Sequence, residues 1–510
     1  LMTRESKLYI SSVTLAALYA FEFFVTGIFI FEDMFHTFVG LPFILTFFAL
    51  LPLVFSVLNL KKFRNARISV IVICAAVIMA IGHFLFAAYV LSKLTYLLIT
   101  GLPVFAVAAI VGVFLFLILL YPRLSKLWKR VSVISLSVAI FFVCVFGVFR
   151  LTFFRFTSEG VVFAVEDEYQ IAWSTSTKST GYVTVNGKTY YDEVGGQNRI
   201  STLHKVSVPM SELDLAGGYA LHSVPVYSEA AYFAIRGGEH TREYSFRPVD
   251  SSDGLQIYNI SDSHETFRGA GNAGRYFGDK LDILILNGDI INDVTSFWQI
   301  SFIYKLAGII TEGTRPVIFT RGNHECNGRY ADELPEYVAS KDGNFYYTLK
   351  LGGAYFMVLD TNNDMTDDNF FIRPAANFEL VRREQISWLE GLDDFGEDCE
   401  YHFLLAHMAF PLADYKRFPE WTAALNEATD GKFDLCISGH SHKLDYAEAG
   451  TETKTDYPVV RGSLRSDYRF EGEGVDPAAF TGTAIECKDG KITVSFTNSR
   501  HEVLETVNVN

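Results

Sequence analysis

Five long apolar runs open the chain, at 8–31, 37–60, 68–92, 95–121 and 131–149, and charged residues are almost confined to the connections between them. Each run has the ~20 residues that a helix needs to cross a bilayer core. A buried helix of a water-soluble protein would show a polar stripe, and these do not. The pattern predicts an all-α transmembrane bundle over residues 1–156. After Phe156 the period changes to two, in short segments such as "GVVFAVE", "YQIAWST", "GYVTVNG" and "HKVSVPM" separated by turns. That alternation predicts a small β-sandwich over 157–250. From Asp253 onward apolar runs alternate with longer polar or helical stretches, which predicts an α/β domain over 251–510.

Charge follows the same division. Residues 1–150 carry a net charge of +8 and the remainder −23. An acidic soluble part excludes nucleic acid as the main partner, because a phosphate backbone needs a basic surface. Within the apolar part, ten Lys and Arg fall on one set of connections and the N-terminus, and three on the other set. The positive-inside rule then places the N-terminus in the cytoplasm and everything after Arg155 on the extracytoplasmic side. The lipid bilayer is the expected partner of this part. Glu22 and His83 lie within apolar runs, where an ionisable group is either functional or one of a hydrogen-bonded pair holding helices together.

In the α/β part, chemistry follows directly on apolar runs. "LQIYNI" leads into "SDSHE", "DILIL" into "NGDIIND", "RPVIF" into "TRGNHE", "YHFLL" into "AHMAFP" and "DLCI" into "SGHSHK". Sites in open α/β sheets gather at the carboxyl ends of strands. Asp262 and His264 are two apart, as are His440 and His442. On extended backbone such a spacing points both side chains to one side. Asp289 offers two carboxylate oxygens that can bridge two cations, Asn323 an amide oxygen and His407 an imidazole. Together they form a mixed nitrogen and oxygen site with room for two divalent ions. A further run, "AYFMVLD", ends in Asp360, which reads as a turn or capping residue. Cys326, Cys399, Cys436 and Cys487 are scattered without metal spacing.

In this order, D-x-H, G-D, G-N-H-E, a lone His and G-H-x-H resemble the calcineurin-like metallophosphoesterases, and "EQISWLEGL" before "YHFLLAH" is similar to the same family. The resemblance implies a four-layer α/β sandwich for 251–510. It implies that Asp262, His264 and His442 bind a first metal ion, that Asp289 bridges, and that Asn323, His407 and His440 bind a second. His324 is then a catalytic residue facing the substrate beside Asn323, with Glu325 supporting the turn and Gly322 letting the chain bend. Arg268 and Asp293 are further candidates for phosphate contact, with a surface or supporting role as the alternative for each. The stretch "YQIAWSTSTKSTGYVTVNGKTY" resembles the fibronectin-III-like N-terminal module of purple acid phosphatases, where His204 would be structural. Asn292 stands where those enzymes place an iron-binding Tyr, which implies the non-purple branch, with Mn2+ first and Fe2+ or Zn2+ as alternatives.

These readings converge on a membrane-anchored, binuclear metal-dependent phosphoesterase acting outside the membrane on a phosphorylated small molecule or lipid-linked substrate. In such a site a bridging hydroxide attacks phosphorus, and His324 protonates the leaving oxygen. Two alternatives use the same residues: an ecto-phosphatase or phosphodiesterase on soluble nucleotides or sugar phosphates, and a non-catalytic membrane sensor.

Overall fold

The computed structural model describes residues 154–229, 234–462 and 480–509. The five apolar runs, with Glu22 and His83, lie outside the described residues. Among those described, no helix is long and apolar enough to cross a membrane.

The first group of elements is β1 (Val161–Val165), β2 (Glu168–Val185), β3 (Lys188–Tyr191), and the short pair β4 (Glu193–Val194) and β5 (Gln197–Asn198). It continues with β6 (Ser201–Pro209), helix α1 (Met210–Ala216), β7 (Gly218–Glu229), β8 (Ala234–Arg236) and β9 (His240–Ser245). The second group begins β10 (Leu255–Ile260), α2 (Phe267–Gly274), β11 (Ile283–Asn287), α3 (Phe297–Thr311) and β12 (Pro316–Thr320). Next come β13 (Tyr347–Leu351), β14 (Ala354–Leu359), α4 (Phe378–Glu390), β15 (Tyr401–Ala406) and α5 (Pro419–Thr429). The chain closes with β16 (Leu435–Ser438), β17 (Leu444–Ala447), β18 (Val459–Gly462), β19 (Thr481–Lys488), β20 (Lys491–Asn498) and β21 (Val503–Val509).

Two sheets organise these elements. One runs β21-β20-β19-β10-β11-β12-β1-β2-β7-β8, and the other β13-β14-β15-β16-β18-β17. Strands β10, β11 and β12 are parallel and buried along most of their length. Continuous apolar runs are what parallel strands covered on both faces require. In the second sheet, alternate side chains go to different cores. Phe356, Val358, Phe403, Leu405 and Ile437 join the core that also holds Ile257 and Ile285 of the first sheet. Tyr355, Met357, Leu404 and Ala406 meet Leu389 of α4 and Trp421 and Leu425 of α5. This is the period-two division that a sheet with two buried faces imposes. Helix α2 comes close to α3 because its contact positions are glycines: a Cβ at Gly271 would lie 2.3 Å from Ile309 Cδ1, and one at Gly274 2.4 Å from Ile310 Cδ1.

Hydrogen bonding links the β segments before residue 250 to the α/β strands. Strand β1 pairs in parallel with β12, Val162 opposite Pro316 and Phe163 opposite Val317. The β segments of 157–250 thereby share one hydrogen-bonded sheet with the α/β strands. Strand β2 is long enough to serve two neighbourhoods. Its first half lies between β1 and β6, its register shifts between Ser174 and Ser179, and its second half pairs β7 and β3. Alternating hydrophobicity specifies a strand but not its partner, and the apolar edge of β12 took β1.

Candidate metal centre

The parallel strands of both sheets end at one edge. Hydrogen bonds hold the loops there side by side, one across the two sheets and others between neighbouring loops of one sheet. Asn287 Nδ2 donates to the Ile437 carbonyl at 2.9 Å, Gly439 N to the His407 carbonyl at 2.9 Å, and Asp262 N to the Gly288 carbonyl at 3.0 Å. Each expected ligand sits just past a strand end: Asp262 and His264 after β10, Asp289 after β11, Asn323 after β12, His407 after β15, His440 and His442 after β16.

The backbone at these positions is not extended, which corrects the same-side reading of the two-residue spacings. Asp262, His264, Asp289, His440 and His442 have φ of 52°, 42°, 51°, 65° and 51°. A left-handed conformation costs a residue with a side chain ~1–2 kcal/mol, and it persists where the surroundings fix it. Gly322 has another reason than bending. Its φ is not left-handed, but a Cβ there would lie 2.3 Å from both the amide N and Oδ1 of Asp289. Gly439 is tighter still, with Ser261 Oγ 1.7 Å from such a Cβ. Both glycines let two loops touch.

Glu325 ties the loops together. Its fully buried carboxylate accepts from the amides of Asp289 (2.8 Å) and Gly322 (3.0 Å) through Oε2, and of Ile290 (2.8 Å) and Ile291 (3.1 Å) through Oε1. The turns bearing Asp289 and Asn323 thus hang on one side chain. Burial, with the charge of Asp289, pushes the Glu325 carboxyl up, and the amide hydrogen bonds pull against that shift.

The side chains form three overlapping groups whose ligand atoms lie within 4.8 Å of one another: Asp262, His264 and His442; Asp289, His407 and His440; and His264, Asp289 and His324. Asp289 belongs to two of them. Its Oδ2 lies 3.1 Å from His407 Nε2, 3.9 Å from His264 Nε2 and 4.0 Å from His324 Nε2. His442 Nε2 is 3.7 Å from Asp262 Oδ1. Asp262 also accepts from the His440 amide at 3.0 Å. The Nδ1 of His407 faces the Asn287 carbonyl at 2.8 Å, so that nitrogen carries the proton and Nε2 is turned to the carboxylate. Asn323 Oδ1 lies 2.8 Å from His440 Nδ1.

Charge is concentrated here. Burial lowers the His407 pKa, but Asp289 and Asp262 outweigh it and push the ring up to about 10. Burial pushes Asp289 upward, and His407 and His324 reverse this, holding the carboxyl well below its ordinary range. Asp262 is pushed up to about 7, first by burial. His440 is pushed down to about 4 by burial and by the charge of His407. A cluster that draws one proton so firmly is a cluster that a cation can enter in its place. Imidazole nitrogens, carboxylate oxygens and an amide oxygen, with no thiolate among them, suit divalent first-row ions.

Residues 255–444 match the family model of the calcineurin-like phosphoesterases. The chain carries a calcineurin-like phosphoesterase domain. It is a phosphoester hydrolase of the metallophosphoesterase type, and the domain implies divalent metal ions for which the Asp and His groups above provide ligands. Among curated proteins no sequence matches the chain. Several solved structures are similar to it, two of them over 69% of the chain. Purple acid phosphatase PPD1 from yellow lupin (Lupinus luteus) seeds shares 14% identity over 69% of this chain and 73% of its own, with a TM-score of 0.44. PhoD shares 10% over 69% of this chain and 90% of its own, with a TM-score of 0.42.

The remaining site residues of the phosphoesterase domain are distributed unevenly. His324 has a side chain 38% exposed, against 19% for His442, and its Nδ1 faces the Asn292 carbonyl at 2.7 Å. Arg268 is exposed on α2. Asp293 accepts from the Thr295 amide (3.2 Å) and hydroxyl (2.7 Å), which is a turn-forming role. Asp360 does cap a turn, accepting from Asn362 N at 3.0 Å, but it also pairs with Arg321 through two hydrogen bonds. That buried pair was not expected. The sequence signal was present, since Arg321 directly precedes Gly322. Arg461 was missed as well: it pairs with Asp445, and its Nη1 donates to Ser441, between His440 and His442, at 3.3 Å. The four cysteines of the described residues are free thiols.

Proposed function

We propose that the chain is a membrane-anchored, binuclear metal-dependent phosphoesterase that hydrolyses a lipid-linked phosphoester on the extracytoplasmic side, with Mn2+ as the preferred ion. The observation that carries the binuclear part is Asp289, whose carboxylate is approached by histidines of different loops. Asp262, His264 and His442 would hold one ion, and Asn323, His407 and His440 the other. Two divalent ions between such ligands supply Lewis acidity and an activated water at neutral pH. The protein's part is to fix the ligands and to handle the leaving group. Because Nδ1 of His324 is engaged by a carbonyl, Nε2 is the atom left to give a proton to the departing oxygen.

The membrane and orientation parts rest on the five apolar runs and their ten-to-three asymmetry of Lys and Arg. Five spans exceed what tethering needs, which favours a substrate that itself resides in lipid. The test is turnover by the purified full chain, with Mn2+, of a panel of lipid phosphates alongside soluble nucleotides and sugar phosphates. Preference for the soluble compounds would transfer the function to the ecto-phosphatase reading. For orientation, Leu215→Cys, at a position 82% exposed, should react with an impermeant thiol reagent on intact cells beyond the wild-type background. Labelling only after lysis would place the catalytic domain in the cytoplasm.

A further inference from the structure

Strand order forces one loop of the metal edge to cross a neighbouring strand. In the second sheet β18 lies between β16 and β17, so the segment 439–443 that joins β16 to β17 passes over the end of β18. His440 and His442 both ride on that crossing. Its entry is held by hydrogen bonds to neighbouring loops, Gly439 N to the His407 carbonyl at 2.9 Å and His440 N to the Asp262 carboxylate at 3.0 Å. The left-handed φ of His440 (65°) and of His442 (51°) is a conformation that lasts only where the surroundings impose it. Something must therefore hold the middle of the crossing too.

Arg461, next to last in β18, is placed to do so. Its register partners are Ser438, the last residue of β16, and Asp445 of β17, which bracket the crossing. Asp445 accepts from Arg461 Nε through Oδ1 at 2.6 Å and from Nη2 through Oδ2. That two-point contact fixes the guanidinium plane and leaves Nη1 to donate to Ser441 Oγ at 3.3 Å, between the two histidines. The Arg461 side chain is only 15% exposed, so it is packed in place and does not wave in water. Asp445 also offsets the arginine charge, which keeps a fixed cation from opposing the entry of metal ions nearby. A lysine, with a single ammonium, could not hold Asp445 by two bonds and Ser441 by a third in this plane.

We propose that Arg461 is a positioning residue: clamped by Asp445, it straps the 439–443 crossing through Ser441 and aims His440 and His442 together. The proposal rests on the ligand assignment above and deepens it by naming what ties the two ion positions to each other. His442 belongs to one ion and His440 to the other, so one loosened strap should weaken both. The test compares Arg461→Ala, Ser441→Ala and the double variant in the purified full chain. Mn2+ affinity, read by competition with a fluorescent chelator, should fall about tenfold at both positions in each, the scale for a group that orients a ligand. The double variant should lose no more than the larger single, since both substitutions break one connection. Additive losses, or a silent Ser441→Ala, would overturn the strap. With Mn2+ in excess, KM and kcat should return to within about twofold of wild type. A KM that stays raised would make Arg461 a substrate contact instead. A second measurement needs no metal. In chelator-treated protein, amide hydrogen exchange over 439–443 should run about tenfold faster in Ser441→Ala and in Arg461→Ala than in wild type, with β15 unchanged. Unchanged exchange in the crossing would contradict the proposal. A wild type that binds no transition ion would remove the metal reading, and the exchange result would still decide the strap. Should Arg461→Ala fail to fold, Ser441→Ala carries both measurements.

Discussion

His204 and His407 are both fully buried and each leans on an aspartate, but their surroundings differ in kind. His204 bonds Asp192 Oδ2 through Nδ1 at 2.7 Å and Ser179 Oγ through Nε2 at 2.9 Å, and it stacks on Trp173 at 5.0 Å. The ring is satisfied by one acid and one hydroxyl, and the acid also pairs with Arg199 at 3.3 Å. His407 has one nitrogen satisfied by a carbonyl, while the other turns to Asp289, a carboxylate that His264 and His324 also approach. None of Ser179, Asp192 and His204 has a left-handed backbone, whereas Asp262, His264, Asp289, His440 and His442 all do. The same residue types thus make a structural group among the β segments and an open cluster past strand ends. A histidine satisfied on both nitrogens belongs to the fold, and one that shares its acid with other histidines is placed for a ligand.

The strongest way to break this contrast is to neutralise the shared acid. Asp289→Asn keeps the shape but removes the charge on which the cluster converges. Turnover should fall by about 10³-fold or more, ~4 kcal/mol of transition-state stabilisation, with metal content reduced and the fold intact by circular dichroism. Retained activity with retained metal would remove Asp289 from its bridging place.

His324 sharpens the distinction within the open cluster. If it serves the leaving group, His324→Ala should keep its metal and lose ~10²–10⁴-fold in kcat on alkyl phosphates, with little loss on p-nitrophenyl phosphate, whose phenolate departs without a proton. An equal loss on both, or loss of metal, would make it a ligand. Glu325→Gln comes next in size. The amide cannot accept as well from four backbone N–H groups, and a supporting change of this kind costs ~10–100-fold in metal affinity or activity.

Much of the site was legible because its residue types are uncommon directly after apolar runs. Asp262, Asp289, Asn323, His407 and His440 all announce themselves in this way, and strand ends are where α/β sheets place chemistry. The backbone route was not legible. A two-residue spacing suggests extended chain, but these turns reach the same result through left-handed residues that tertiary contacts enforce. Gly322 was seen as a hinge because sequence cannot show that Asp289 would collide with a Cβ. Strand β1 was assigned to its own module for a similar reason, since its partner β12 lies far along the chain. Arg321 and Asp360 were hidden by separation as well, although each stands next to a strand end.

The group around His204 offers the smallest effect and the control. His204→Leu should remove the imidazole shared by Asp192 and Ser179 and lower stability by ~1–3 kcal/mol in denaturant unfolding. The kcat of the folded protein and its metal content should not change. A loss of metal in this variant would erase the distinction between the two histidines.

The most direct test of the central claim is metal content measured together with activity on one preparation of the full chain. The account predicts about two divalent transition ions per chain by mass spectrometry, loss of phosphoester hydrolysis on chelation, and recovery with Mn2+. Hydrolysis at an undiminished rate by protein shown to hold no transition metal would contradict it.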